Sequence, residues 1–250
     1  MKVATASRGV VDGPVFRADD EALLRGNAAF ETLRVYDGTP FLLAEHLARF
    51  RHSIEALGLP SAENVEDLVA QVVGADGVLR LYRTSFELVA TFDDLPSGLE
   101  EARARGVRLR SVDLGTPALL AGVKSTSYAA AFGARRAAEE EGADDALLVA
   151  GDVVLETATA NIWWRRGDRL FTPAARAGVL PGVTRGFVLS LEPVTEGVFD
   201  RDDLRRADEA FTTSSIREVM PVVAIDGEPV GDGRPGPAAA RLQARLRSSV

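Results

Sequence analysis

One lysine stands inside a chain that otherwise uses arginine for its cationic work. Of 29 basic residues only Lys2 and Lys124 are lysines, which leaves 29 − 2 = 27 arginines. Lys2 sits beside the start methionine and is expected to be a mobile terminus, so Lys124 becomes the single lysine of the folded body. A guanidinium stays protonated, whereas a lysine amine can lose its proton, attack a carbonyl and form a Schiff base. By composition alone Lys124 is equally a leftover surface residue of an arginine-rich chain. Its neighbours weigh on that choice. The run Gly122-Val-Lys-Ser-Thr-Ser-Tyr128 is uncharged apart from the lysine, and partial desolvation favours the free amine. The Tyr128 phenol, four residues on, reaches the same place if the segment turns like a helix.

Three further segments carry usable chemistry. Glu156 is a lone carboxylate in Val154-Leu-Glu-Thr-Ala-Thr-Ala-Asn161, and such a charge must be paired or exposed. A buried partner bearing a proton, such as a pyridinium N–H, satisfies it; so does solvent, if the strand turns it outward. The run Leu180-Pro-Gly-Val-Thr-Arg185 feeds a Pro-Gly turn into a helix start, where free backbone N–H groups and Thr184 make a phosphate seat. Thr212-Thr-Ser-Ser215 is a hydroxyl cluster that binds an anion or caps a helix.

The elements that must hold these groups alternate between strand and helix. Residues 30–36 read as a strand closed by the turn pair Asp37-Gly38, with 41–43 as its hairpin partner. Apolar residues at Leu43, Leu47, Phe50, Ile54 and Leu57 have helical spacing, stopped by Gly58 and Pro60. A helix over 65–73 follows, then strands at 78–84, 86–91 and 107–112. After a Gly/Pro-bearing stretch come a helix at 128–141 and strands at 146–150, 153–157, 161–165 and 170–172. Helices after Pro181-Gly182 and near 201–207, strands at 209–213 and 222–225, and a closing amphipathic helix at 238–247 complete the chain. The reading is α+β in two domains: an N-terminal domain over 1–113, a linker over 114–122 and a larger C-terminal domain over 123–250. A Rossmann sheet is not indicated, and neither GxGxxG nor GxxxxGK[ST] occurs.

Composition limits the partners. The net charge of −8 argues against a nucleic-acid or anionic-membrane surface without excluding a local basic pocket. Zero cysteines and two histidines leave no disulfide, no thiol metal site and little scope for a His-rich one. No apolar run approaches the ~20 residues of a membrane span, and no leader peptide is visible. A cytoplasmic protein without metal is expected.

Taken together, the motifs resemble the class IV aminotransferase family, the fold-type IV pyridoxal-phosphate (PLP) enzymes. The order and distance from Lys124 to Glu156, to Leu180-Pro-Gly-Val-Thr-Arg185 and to Thr212–Ser215 match that family, as do Phe30-Glu-Thr-Leu-Arg34 and His46-Leu-Ala-Arg49. The family includes branched-chain and D-amino-acid aminotransferases and 4-amino-4-deoxychorismate lyase. The resemblance implies a C-terminal domain with a barrel-like sheet, a site between the domains, and a homodimer. It implies that Lys124 carries PLP and shuttles the proton, that Glu156 pairs with the pyridine N–H, and that Tyr128 hydrogen-bonds the ring O3′. Arg49, Val183, Thr184 and Ser215 are implied at the phosphate, with Leu180 against the ring. For the small-molecule amino substrate it implies Thr32, Arg80 and Ile216. Branched-chain enzymes usually place glycine where Thr32 stands, and aminodeoxychorismate lyases place a catalytic threonine there. Thr32 is also an ordinary strand residue, and Arg80 fits a solvent-facing strand charge equally well. The expected reaction is release of pyruvate and 4-aminobenzoate from 4-amino-4-deoxychorismate; the alternative is amino transfer to a 2-oxo acid.

Overall fold

The computed structural model describes residues 1–115 and 121–250. They fall into two compact units: one of residues 1–96 with 123–128, the other of the described residues of 97–122 with 129–250.

The first unit contains β1 (Lys2–Thr5), β2 (Gly9–Val10), α1 (Glu21–Arg25), β3 (Ala29–Tyr36), β4 (Thr39–Pro40), α2 (Leu43–Ala56), α3 (Val65–Val72), β5 (Gly77–Arg83) and β6 (Leu88–Asp93). The strands form one antiparallel sheet in the order β2-β1-β6-β5-β3-β4. Asp37 and Gly38 both have positive φ, as the tight β3–β4 hairpin requires. Alternation along β3 sends Ala29, Leu33 and Val35 into a core completed by Leu47, Phe50 and Ile54 of α2 and Val65, Leu68 and Val72 of α3. Full burial of a side chain such as Phe50 stabilises by roughly 1.5–3 kcal/mol. Two expectations are corrected here. Lys2 is not a loose end: it lies in β1, opposite Phe92 of β6. The short hairpin partner is Thr39–Pro40, because Leu42 turns through φ 53 straight into α2.

The second unit contains α4 (Leu99–Arg105), β7 (Val107–Asp113), α5 (Ala129–Glu140), β8 (Asp145–Ala150), β9 (Val153–Thr157), β10 (Asn161–Arg166), β11 (Arg169–Pro173), α6 (Val183–Leu191), β12 (Val194–Gly197), α7 (Arg201–Arg205), β13 (Glu209–Ser214), β14 (Glu218–Ile225), β15 (Glu228–Pro229) and α8 (Pro237–Arg247). Its curled nine-stranded sheet runs β12-β11-β10-β13-β14-β7-β8-β9, with β15 on β14. Both faces are covered, so Trp163 and Trp164, adjacent on β10, are both fully buried in separate cores. The fold is α+β, as the sequence suggests. Helix α4 was not foreseen, since it buries no residue and so carries no apolar stripe.

The units do not follow the expected division at 113 and 123. Strand β7 pairs in parallel with both β14 and β8, and its Val107 and Leu109 join the second core. Conversely, residues 123–128 belong to the first unit. Of the expected linker, residues 116–120 lie outside the described residues. No helix among the described residues is long and apolar enough to cross a membrane.

Candidate active site

Residues 123–128 are stitched onto the start of β3. Phe30 N–H donates to the Lys124 carbonyl at 3.0 Å, Thr126 N–H donates to the Ala28 carbonyl at 2.9 Å, and Ala29 bridges Ser125. Lys124 N–H donates to Oγ of the buried Ser53 on α2 at 3.0 Å. Gly26 makes the approach possible: its φ is +69, and a Cβ there would lie 2.7 Å from Ser127 Oγ. Backbone pairing therefore aims the lysine side chain. Lys124 Nζ donates to the Tyr128 hydroxyl at 3.3 Å and lies 4.3 Å from the centroid of the Phe30 ring. Tyr128 in turn packs edge-on against Phe30, with ring centroids 5.3 Å apart.

Phe30 fixes which face of the sheet this is. Alternate residues of β3 share its face, so Thr32 projects on the lysine side. Arg80 of β5 is the partner of Thr32 in register, and Tyr82 is the partner of Phe30. Thr32 and Arg80 are thus cross-strand neighbours on one face, both half-buried. A hydroxyl and a guanidinium thus stand side by side on that face.

The opposite face holds a buried charge cluster. Glu31 is fully enclosed; its carboxylate accepts from Arg49 Nε and Nη2, both at 2.7 Å, and from His46 Nδ1 at 2.7 Å. Arg49 is therefore not a surface arginine; its guanidinium plane is set by a bidentate carboxylate. Burial alone would push the Glu31 carboxyl up, but hydrogen bonds from Arg49 and His46 outweigh it and hold it at about 2, below the ordinary 4.5. Burial pushes His46 below its ordinary 6.5, against the pull of Glu31. Neutral His46 then donates Nδ1–H to the carboxylate. Both shifts act in the same direction. The unfolded chain takes up protons first, at His46 below pH 6.5 and at Glu31 below pH 4.5, so stability falls with pH. For Glu31 the loss runs from pH 4.5 to about 2 and amounts to on the order of 3 kcal/mol. Urea midpoints measured from pH 7 to 2 should decline throughout, and Glu31→Gln should flatten the lower part.

In the second unit Glu156 on β9 is half-buried and not alone. Its Oε2 accepts from Asn161 Nδ2 at 3.0 Å and its Oε1 from Leu180 N–H at 3.1 Å. Asn161 Nδ2 also donates to the Leu180 carbonyl at 2.9 Å. This amide locks the carboxylate to the loop entering α6, a role the sequence reading missed although Asn161 stands five residues from Glu156. Gly182 is the N-cap of α6, followed by Val183 and the buried Thr184. A Cβ on Gly182 would fall 2.1 Å from Asn161 Oδ1, so a side chain there would displace the amide that holds Glu156 to this turn. Ser215, Ile216 and Arg217 form the turn between β13 and β14. Arg217 is ion-paired with the buried Asp145 at 3.2 Å.

The family model for amino-transferase class IV matches residues 28–225, a span that takes in each of these groups. This chain belongs to the class IV aminotransferase family. It is 27% identical to a D-alanine aminotransferase of Staphylococcus haemolyticus over 90% of this chain and 89% of that protein. Among solved structures, a fold IV-transaminase from Curtobacterium pusillum is 27% identical with a TM-score of 0.85, covering 99% of this chain and 97% of that one. The fold is also that of a hypothetical aminotransferase from Mycobacterium tuberculosis, solved in a PLP-bound form. That chain is 24% identical with a TM-score of 0.86, and the match covers 100% of this chain and 99% of that one. The cofactor of this aminotransferase family member is PLP. The donor set fits it: a primary amine beside a phenol, a carboxylate already oriented by an amide and a backbone N–H, and a glycine-entered helix N-terminus.

Proposed function

We propose that this chain is a PLP-dependent 4-amino-4-deoxychorismate lyase. The observation that carries the reading is the register pairing of Thr32 with Arg80 on the face over which the Lys124 amine lies. PLP, when bound, supplies a carbonyl for the amine and an electron sink for the carbon chemistry. Lys124 Nζ would hold the proton removed from the amine-bearing carbon, and the Tyr128 hydroxyl, 3.3 Å from it, would hydrogen-bond the ring O3′. Glu156 supplies the carboxylate for the ring nitrogen. Arg49, Val183, Thr184 and Ser215 would hold the phosphate, and Leu180 would border the ring. Arg80 binds a substrate carboxylate, Ile216 borders the substrate, and the Thr32 hydroxyl relays a proton to the departing pyruvyl group. A homodimer in the cytoplasm, implied by the family resemblance and the composition, completes the reading.

The relatives favour a second reading, amino transfer to a 2-oxo acid, since one of them is a D-alanine aminotransferase 27% identical over nine-tenths of the chain. One assay separates the two. The purified holoenzyme is given aminodeoxychorismate and 4-aminobenzoate is followed, while D- and L-amino acids are offered in parallel with a 2-oxo acid. The lyase reading predicts 4-aminobenzoate from the wild type and a loss of about a hundredfold in Thr32→Val, the usual scale of a proton-transfer group. Amino transfer with no 4-aminobenzoate would sink it.

A further inference from the structure

The turn that carries Ser215 is built against its own backbone preference. Ser214 of β13 pairs with Glu218 of β14, so Ser215-Ile216-Arg217 is a three-residue hairpin loop closed by Glu218. Glu218, the residue that closes the loop, has φ +56, in the left-handed region where glycine is favoured, and a non-glycine residue there persists only when its surroundings over-determine it.

The surroundings do so. The Glu218 side chain is 1% exposed, and its carboxylate accepts from Arg103 Nη2 at 2.9 Å, Gln243 Nε2 at 2.8 Å and Arg247 Nη2 at 2.7 Å, with Arg247 Nε also bonded to it. The same groups grip the backbone on both sides. Arg103 Nη2 donates to the Arg217 carbonyl at 2.9 Å and its Nε to the Val219 carbonyl at 3.2 Å. Gln243 Oε1 accepts from Val219 N–H at 3.0 Å. Helices α4 and α8 thereby hold the loop from outside, while at its base Ser214 Oγ accepts from Arg217 N–H at 3.3 Å.

We propose that Glu218 is a positioning residue: by anchoring the β13–β14 turn to Arg103, Gln243 and Arg247, it sets the place of Ser215 at the cofactor phosphate. This rests on the reading of Ser215 as a phosphate contact. Glycine at 218 would suit the backbone and release the turn, whereas a residue needed only for its conformation would be improved by glycine.

The test uses Glu218→Gly, Glu218→Gln and, as a milder cut of the same anchor, Arg247→Gln. Affinity is measured for PLP and for pyridoxal, which lacks the phosphate, and amide exchange of residues 215–217 is followed in the protein without cofactor. The expected result is a PLP dissociation constant raised about tenfold or more in the two Glu218 variants and less in Arg247→Gln. Pyridoxal affinity should hold within about twofold, and exchange at 215–217 should be faster. Wild-type PLP affinity in Glu218→Gly would overturn the proposal, and so would equal weakening of PLP and pyridoxal. If the wild type binds no PLP, the cofactor reading fails instead, and amide exchange alone decides the anchor: unchanged exchange in Glu218→Gly overturns it.

Discussion

Replacing Lys124 with alanine is expected to leave a folded protein that stays colourless with PLP and turns over at least about a thousandfold more slowly, the scale on which loss of a nucleophile acts. The amine is the only lysine nitrogen in its unit apart from Lys2, which lies in β1 opposite Phe92. Its backbone is fixed from β3 and from Ser53, and that pairing does not depend on the side chain. The side chain contributes a contact over the Phe30 ring, worth about 0.5–1 kcal/mol where water reaches it. Stability should therefore change little while chemistry disappears. Lys124→Arg sharpens the point, since it keeps a cation over Phe30 but offers no amine that can lose its proton. Visible absorbance on adding PLP, and borohydride labelling mapped to the peptide containing residue 124, check this. Turnover near wild type in Lys124→Arg would remove the central assignment.

The second large effect is expected at Glu31, on stability. Glu31→Ala leaves Arg49 and His46 enclosed without the carboxylate that both bond. Removing one partner of a buried pair costs about 3–5 kcal/mol. In a chain of this size that corresponds to a fall in Tm of on the order of 10 °C. The cause is checked by a triple replacement, Glu31→Leu with His46→Leu and Arg49→Met, which removes the charges together. Its unfolding free energy should lie much closer to wild type than that of Glu31→Ala, because an apolar cluster of similar volume strands nothing. If Glu31→Ala unfolds like wild type in urea, the cluster carries no stability. PLP affinity is expected to fall in both variants if Arg49 holds the phosphate, since in one its orientation is lost and in the other its guanidinium.

Most of the element order was legible because most elements carry a local signal, which α4 does not. Helix α2 is written in the spacing of Leu47, Phe50 and Ile54, and β3 in a run ending at Asp37-Gly38. Glu31 was not legible as a charge-cluster residue. In Phe30-Glu-Thr-Leu-Arg34 strand alternation says only that Glu31 and Thr32 face opposite ways, not which face is covered. Helix α2 decides that by placing His46 and Arg49 over Glu31. The anchoring role of Glu218 was hidden for a different reason: its partners, Arg103 on α4 and Gln243 and Arg247 near the end of the chain, lie 115, 25 and 29 residues away.

By itself the sequence determined the family and which residue types stand ready for its chemistry. Lysine cannot be replaced by arginine as a nucleophile, and the spacing of Lys124, Glu156 and the Leu-Pro-Gly-Val-Thr-Arg run is a property of the chain alone. The tertiary structure decided which groups each residue meets. Lys124 is joined to β3 by hydrogen bonds across some ninety positions of sequence, β7 is claimed by the second sheet through parallel pairing, and Thr32 meets Arg80 only through the register of β3 and β5. The physical reason is common to all three. Strand pairing joins segments far apart in sequence, and the covered faces that choose among registers exist only once the chain has folded.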